Sequence, residues 1–262
     1  MDEEAPAPRF RLPFFRAVER PPALPRHGLR VRSDFEGGNA EAVTVVSPSH
    51  LRFAARADSS PRPLWFYFCI QDARVPAIRC DLTNADQCLG PRSGWRTARP
   101  VFSSDGRNWQ RVTRTNYVEE TATSGYFTFT APVVGRSLYV AYCYPYTTAD
   151  LNQFVQSLPT AGAGVETGEL CRSGEDRPVP YLRCGNHVAP TRSVWVIARQ
   201  HAGETPASFT AQGMMEALAA VGPERLACVR DTAFHVVPML DVDGVARGSY
   251  GKDQEPVDFN RD

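Results

Sequence analysis

This chain is predicted to fold as a mixed protein, an antiparallel β-sandwich followed by part of an α/β domain with a mixed sheet. Three observations carry that expectation. Residues 29–150 are filled with short β-branched and aromatic runs between Ser, Pro, Gly and Asp turns, and no interval there holds a crossover helix with its loops. The pattern changes to helical spacing at Tyr144–Leu151. Beyond that, Ser193–Pro206 reads as strand, polar loop and helix start, and a second apolar strand follows.

The elements follow in order. Residues 1–28 form a Pro- and Arg-rich tail whose compact apolar group is Phe10, Leu12, Phe14 and Phe15; its proline spacing opposes helix and central strand, and the phenylalanines are expected to dock on a neighbouring surface. The sandwich occupies 29–150, with strands expected at Ala42–Val46, Leu51–Ala55, Leu64–Ile70, Trp109–Tyr117, Gly125–Thr130 and Ser137–Tyr144. Tyr126–Thr130 alternates apolar with polar, so one face is buried. Ser103–Asn108 reads as a hairpin turn. Trp65, Trp95 and Trp109 lie in or beside strand patterns and are assigned to the core rather than to a binding platform.

An incomplete α/β domain occupies 151–262. A helix starts at Thr148 or Asp150 and runs to Leu158, and Thr160–Val165 is a loop lacking the Gly-Lys-Ser/Thr of a phosphate loop. A short strand is expected at Pro180–Cys184, then Val194–Ile197, then a helix over Ala207–Ala220 behind Thr205-Pro206, then a strand over His235–Leu240. A right-handed crossover makes the last two strands parallel neighbours, so their C-terminal ends share one sheet edge, where open α/β sheets bind ligands.

Composition removes several function classes. Lys plus Arg and Asp plus Glu both total 29, which leaves no field to attract nucleic acid or an anionic membrane. No apolar run reaches the ~18 residues a bilayer span requires, and the N-terminus is acidic where a secretory signal is basic. Seven cysteines, an odd number without Cys-x-x-Cys, point to reduced thiols and a cytoplasmic setting. Cys184 and His187 have a metal-like spacing, but packing accounts for the cysteines more simply.

At the sheet edge stand His201 and Glu204, three apart. Zinc accepts imidazole nitrogen and carboxylate oxygen, and a catalytic site takes three protein ligands plus an open position. Gly203 permits a tight turn between the pair, and the helix starting near Pro206 favours an ionised Glu204. The spacing alone is common by chance; the surrounding motifs give it weight. His201-Ala202-Gly203-Glu204-Thr205-Pro206, then Phe234–Leu240 running into Asp241-Val242-Asp243-Gly244-Val245, then Val257-Asp258-Phe259-Asn260-Arg261 occur in that order, with Tyr144-Pro145-Tyr146-Thr147 and Leu170-Cys171-Arg172 upstream. Together they resemble the zinc metallocarboxypeptidases, especially the cytosolic branch, in which the first motif reads His-Pro-Gly-Glu-Thr-Pro and the second Asn-Pro-Asp-Gly-Val.

The resemblance implies zinc held by His201 and Glu204, and hydrolysis at the C-terminus of a peptide or protein, with Asn260 and Arg261 gripping the terminal carboxylate. Where the branch has an arginine after the residue matching Tyr250, this chain has Gly251; Lys252 follows and is the candidate catalytic cation for the oxyanion. Asp243-Gly244 reads as a turn and Asp258 as a carboxylate supporting the ligands. The family's third ligand, a His, and its catalytic Glu lie beyond the Asn-Arg motif, so the sequence reads as the N-terminal part of a longer enzyme, inactive by itself. Two other readings stay open: a zinc amidase or deacylase using the same pair, and a non-catalytic protein-binding sandwich.

Overall fold

The computed structural model describes residues 28–60, 62–158, 165–185, 190–220 and 231–261. Nearly all of the Pro/Arg-rich tail, most of the expected Thr160–Val165 loop, His187 and Cys228 therefore lie outside the described residues.

Ten strands build the sandwich: β1 (Arg30–Arg32), β2 (Glu41–Ser47), β3 (His50–Ala54), β4 (Tyr67–Gln71), β5 (Ala77–Leu82), β6 (Val101–Ser103), β7 (Gln110–Arg111), β8 (Arg114–Glu119), β9 (Gly125–Pro132) and β10 (Leu138–Ala141). One sheet runs β1-β4-β10-β6-β7 and the other β2-β3-β5-β9-β8. Every pairing is antiparallel except β3 with β5, which is parallel, so the expectation of antiparallel pairing throughout is corrected there. The chain leaves β3, crosses to the opposite sheet as β4 and returns as β5; that detour lets two parallel neighbours form without a helix.

Between the sheets, Phe53, Phe66, Phe68, Phe127 and Phe129 are essentially fully buried, and Phe66 stacks on Phe129 with centroids 6.1 Å apart. Each such side chain contributes about 1.5–3 kcal/mol relative to exposure. The strand expected over Trp109–Tyr117 is interrupted: Val112 turns inward and separates β7 from β8. Trp65 and Trp95 are 4% exposed, as a core assignment requires, although Trp95 sits on a short 3-10 helix (Arg92–Arg96). The Ser103–Asn108 turn forms as expected, its Asp105 carboxylate accepting from the backbone N–H of Arg107 and Asn108 at 2.8 Å.

Helix α1 (Thr148–Ser157) begins where expected, with Thr147 and Asp150 as a reciprocal capping box. A four-stranded sheet follows in the order β11-β12-β14-β13, comprising β11 (Val165–Arg172), β12 (Pro178–Gly185), β13 (Arg192–Ile197) and β14 (Thr232–Val237). Strand β11 carries seven consecutive exposed residues, Glu166 to Arg172, so it offered no apolar run to read; hydrogen bonding to β12 forms it. Strands β13 and β14 are parallel, with Val194 opposite Phe234 and Ile197 opposite Val237, as the crossover through α2 (Pro206–Ala220) requires. His235, expected to begin a strand, lies in the middle of β14. A short helix α3 (Val242–Arg247) follows, capped by Asp241 and closed by Gly248 at φ 74°.

The sandwich buttresses the α/β part through polar contacts. Asn39 donates to the Gly248 carbonyl at 2.7 Å, Arg56 donates to the Arg247 carbonyl at 2.6 Å, and Glu36 accepts from the Thr148 backbone at 2.7 Å.

Candidate metal centre

Beyond Ile197 the β13–β14 pairing continues through Ala198 N–H to the Val237 carbonyl and Leu240 N–H to the Ala198 carbonyl. Arg199 then turns the chain at φ 57°. Its guanidinium is buried and donates to the Ala202 carbonyl at 2.7 Å, the Tyr146 carbonyl at 3.1 Å and Ser208 Oγ at 2.9 Å, which clamps the 199–204 loop to α2 and to the start of the α/β part. Burial pulls its pKa down to about 10. Sequence reading missed Arg199; the available signal was a charged residue directly ending an apolar strand.

The clamped loop presents His201, which is 3% exposed. Its Nε2 lies 3.0 Å from Asp258 Oδ1 and its Nδ1 lies 3.1 Å from Glu204 Oε2. A carboxylate accepts only, so each ring nitrogen needs a positive centre between it and its partner: a proton, or at Nδ1 a metal ion. Glu204 Oε1 accepts from Lys252 Nζ at 2.9 Å. Partial burial raises the Glu204 pKa, but the bonds from Lys252 and His201 outweigh it and the net shift is downward, so the carboxylate form is favoured.

Asp258 sits behind the pair. Besides His201 it accepts the backbone N–H of Asn260 at 2.9 Å and of Asp253 at 2.7 Å. Desolvation works against its charge, and these bonds with His201 overcome that to hold its pKa at about 2. This arrangement, carboxylate to imidazole with the other nitrogen left for a ligand, is the one that fixes a metal-binding histidine. The donor set therefore fits zinc at His201 Nδ1 and Glu204. Among the described residues, no group of three His, Cys, Asp or Glu side chains is placed to hold a metal.

Gly203 has a different reason from the tight turn that the sequence suggested. A Cβ at Gly203 would lie 2.2 Å from the Tyr250 ring, so the residue is needed for close approach rather than for an unusual backbone angle. Gly251 does adopt φ 79°, and a Cβ there would meet Ala202 N and Asp241 Oδ2 at 3.0 Å, a position hostile to arginine. The next residue, Lys252, carries the ammonium that bonds Glu204. Asp58, a sandwich residue with no motif to mark it, accepts from the backbone N–H of Tyr250 and, at 3.2 Å, of Gly251. Arg261 Nε donates to Asp253 Oδ1 at 2.9 Å; Gln200 Nε2 donates to the Phe259 carbonyl at 2.7 Å and joins the Asp258–Arg261 segment to the histidine loop. The structure thus gathers His201, Glu204, Lys252 and Asp258 into one bonded cluster and attaches Arg261 to it through Asp253.

Two family models cover the chain in sequence: the cytosolic carboxypeptidase N-terminal domain over residues 31–143 and the zinc carboxypeptidase domain over 147–262. The chain belongs to the zinc carboxypeptidase family. It is 30% identical to a metallo-carboxypeptidase from Burkholderia cenocepacia whose crystal structure superposes with a TM-score of 0.72, over 85% of this chain and 58% of that one. A metallo-carboxypeptidase from Pseudomonas aeruginosa, solved in complex with (2-guanidinoethylmercapto)succinic acid, gives a TM-score of 0.71 at 27% identity over 84% of this chain and 58% of that one. Among curated proteins, cytosolic carboxypeptidase 2 of Danio rerio is 27% identical over 89% of this chain, which corresponds to 36% of the zebrafish protein. The chain therefore spans about a third to three fifths of the length of these family members.

Proposed function

We propose that this carboxypeptidase chain contributes to a site that hydrolyses the C-terminal peptide bond of a peptide or protein, with zinc at His201 and Glu204. The observation that carries the proposal is the His201 imidazole held at Nε2 by Asp258 with Nδ1 aimed at Glu204. When bound there, zinc supplies Lewis-acid polarisation of the scissile carbonyl. The chain's own residues do the rest of what is proposed here. Asp258 keeps the imidazole oriented. Arg261, with Asn260 beside it, presents a guanidinium fork to the substrate's terminal carboxylate, the group that defines a C-terminus. The carboxylates of the compound bound by the Pseudomonas neighbour are of that same chemical type. Lys252, already on Glu204, brings an ammonium to where negative charge develops on the carbonyl oxygen. The third ligand and the proton-carrying carboxylate are proposed to come from sequence outside residues 1–262.

A cytosolic location belongs to the same proposal; the Danio relative is named a cytosolic carboxypeptidase, and the six described cysteines are all free thiols. No helix among the described residues is long and apolar enough to cross a membrane.

Zinc content and release of C-terminal residues, measured on residues 1–262 and on a version extended past Asp262, test the proposal. The extended form is expected to hold zinc and turn over, the 262-residue form to bind zinc far more weakly and be inactive, and His201→Ala in the extended form to lose metal and activity together. Release of acyl groups without C-terminal residues selects the amidase reading, and absence of zinc from both forms selects the binding module. Zinc-dependent turnover by residues 1–262 that survives Glu204→Ala puts the site elsewhere.

A further inference from the structure

Lys and Arg together number 29, and Lys252 is the only lysine among them. It stands between two residues with left-handed backbone, Gly251 at φ 79° and Asp253 at φ 53°. A trace of that kind keeps its direction only where the surroundings hold it. The lysine stem adds about 2 kcal/mol of rotamer freedom of its own. Where the ammonium points is therefore decided by what fixes the backbone just ahead of it.

That fixing comes from the sandwich. The connection between β3 and β4 is anchored by two side-chain amides: Asn84 accepts from the Ala55 N–H at 3.0 Å and donates to the Ala55 carbonyl at 2.8 Å, and Asn39 does the same for Arg56 at 2.7 and 3.2 Å. Asp58 then divides its carboxylate between two tasks. Its Oδ1 accepts the Ser60 N–H at 2.7 Å and closes the turn of its own loop, while Oδ2 accepts the backbone N–H groups of Tyr250 and Gly251. The Tyr250 carbonyl accepts the Gly203 N–H at 2.8 Å, so Tyr250-Gly251 is held between Asp58 and the histidine loop. Beyond Lys252, Ser59 bonds Gln254 and the Glu255 N–H, both at 3.2 Å. Arg62 lies 3.7 Å from Asp253, but that pair is long and its arginine exposed, and such pairs contribute little. Asp58 is thus the sandwich's tie on the N-terminal side of Lys252.

The metal pair has separate support. His201 and Glu204 ride on the loop that Arg199 clamps from within the α/β part, with Asp258 behind the imidazole. Loosening Asp58 should release the ammonium and leave the imidazole and carboxylate in place.

We propose that Asp58 is a positioning residue for hydrolysis: through the Tyr250-Gly251 backbone it holds Lys252 Nζ 2.9 Å from Glu204 Oε1, beside the place where the carbonyl oxygen gains charge. The sandwich then sets the cation and the α/β part sets the metal pair. What Lys252 does rests on the hydrolytic reading above; where Asp58 holds it does not.

Because Lys252 is the only lysine, an amine-acylating succinimidyl ester marks it alone among the side chains, and peptide mass spectrometry separates it from the α-amine of Met1. On residues 1–262, Asp58→Ala is expected to speed acylation of Lys252 several-fold. Ile78→Val, a fully buried change in the sandwich that also lowers stability, should leave that rate unchanged. In the form extended past Asp262, Asp58→Ala should lower kcat roughly 10- to 100-fold, within the roughly 100- to 1,000-fold that loss of an oxyanion donor costs, with zinc content and KM unchanged. Added to Lys252→Ala it should lower kcat no further, since both changes remove one interaction. An unchanged acylation rate in Asp58→Ala, an equal rise in Ile78→Val, or a double variant slower than Lys252→Ala each overturns the proposal. Failure of the extended wild type to release C-terminal residues overturns the hydrolytic reading, and with it the role of Lys252, whatever the acylation rates, so the two failures are told apart.

Discussion

The two sheets of the sandwich and the sheet that carries the metal centre solve the burial problem to different degrees. The sandwich closes over its own phenylalanines, none of which among Phe53, Phe66, Phe68 and Phe127 shows measurable exposure. The four-stranded sheet ends instead in an edge strand, β13, on which Val194, Trp195 and Ile197 are 40%, 55% and 48% exposed. On that open face the Trp195 ring stacks on His235 at 4.5 Å and lies 6.0 Å from Tyr181, three aromatic rings across three neighbouring strands. An apolar β-branched edge strand is a template for further pairing. The same strand leads directly to His201 and Glu204, the pair proposed to hold zinc. The open edge strand and the proposed site are thus continuous in the chain, whereas the sandwich contributes support from a closed core.

The largest expected effect sharpens this contrast. Phe66→Ala should destabilise the protein by about 3–5 kcal/mol, because the side chain is wholly buried against Phe53 and Phe129 and its loss leaves a cavity. Trp195→Ala, removing a larger ring from the open face, should cost far less. Denaturant midpoints of the two variants check this, and equal losses would show that the β13 face is covered in solution.

Next in size is Asp258→Asn. The carboxylate accepts two backbone N–H groups and the His201 imidazole, and bonds to a charged acceptor contribute about 1.5–3 kcal/mol. Stability should fall by an amount of that order, and zinc affinity of the extended form by about 10- to 100-fold, the usual cost of losing a carboxylate behind a metal-binding histidine. Because the Asp258 pKa is depressed to about 2, its contribution is complete above the unfolded carboxyl pKa of about 3.9 and disappears as pH falls through about 2. Wild type and Asp258→Asn should therefore converge in stability over that acid window.

A smaller loss is expected at Asp58, whose Oδ2 ties the Tyr250 and Gly251 backbone to the sandwich. Asp58→Ala should cost about 1–3 kcal/mol and speed hydrogen exchange at both amides. Exchange that rises only within the sandwich would show the loop to be held by the α/β part alone.

These residues also mark what the sequence could and could not show. His201 and Glu204 were legible because they follow a β-branched strand in a motif that resembles the family's, whereas Lys252, far along the chain, was marked only by its place after Tyr250 in that resemblance. The parallel β13–β14 pair was legible because an apolar strand, a helix and a second apolar strand permit few arrangements. Strands β1 and β6 were not, because they are short and pair with strands distant in the chain, and β11 was not, because it is polar and exists only through its hydrogen bonds to the adjacent β12. Asp58 and Arg199 escaped for a related reason. Their hydrogen bonds go mainly to backbone atoms, which any sequence supplies, and no local pattern encodes which carbonyl or amide will lie within reach.

The smallest predicted effect runs in the opposite direction. Asp241 caps α3 through Oδ1, which accepts the Gly244 N–H at 2.8 Å, while its buried Oδ2 has no hydrogen-bond partner among the described residues. Burial raises its pKa despite the Gly244 bond. A carboxyl whose folded pKa is raised costs stability once pH passes its unfolded pKa of about 3.9; below that both states are protonated and the cost vanishes. Asn keeps the capping oxygen and removes the charge, and asparagine is the residue that the resembling branch places there. Asp241→Asn should therefore stabilise the chain by about 1 kcal/mol at pH 7 and leave it unchanged below about pH 4, as read from denaturant midpoints at the two pH values. A gain that is equal at both would mean that the amide finds a partner the carboxylate lacks, and that charge is not what Asp241 costs.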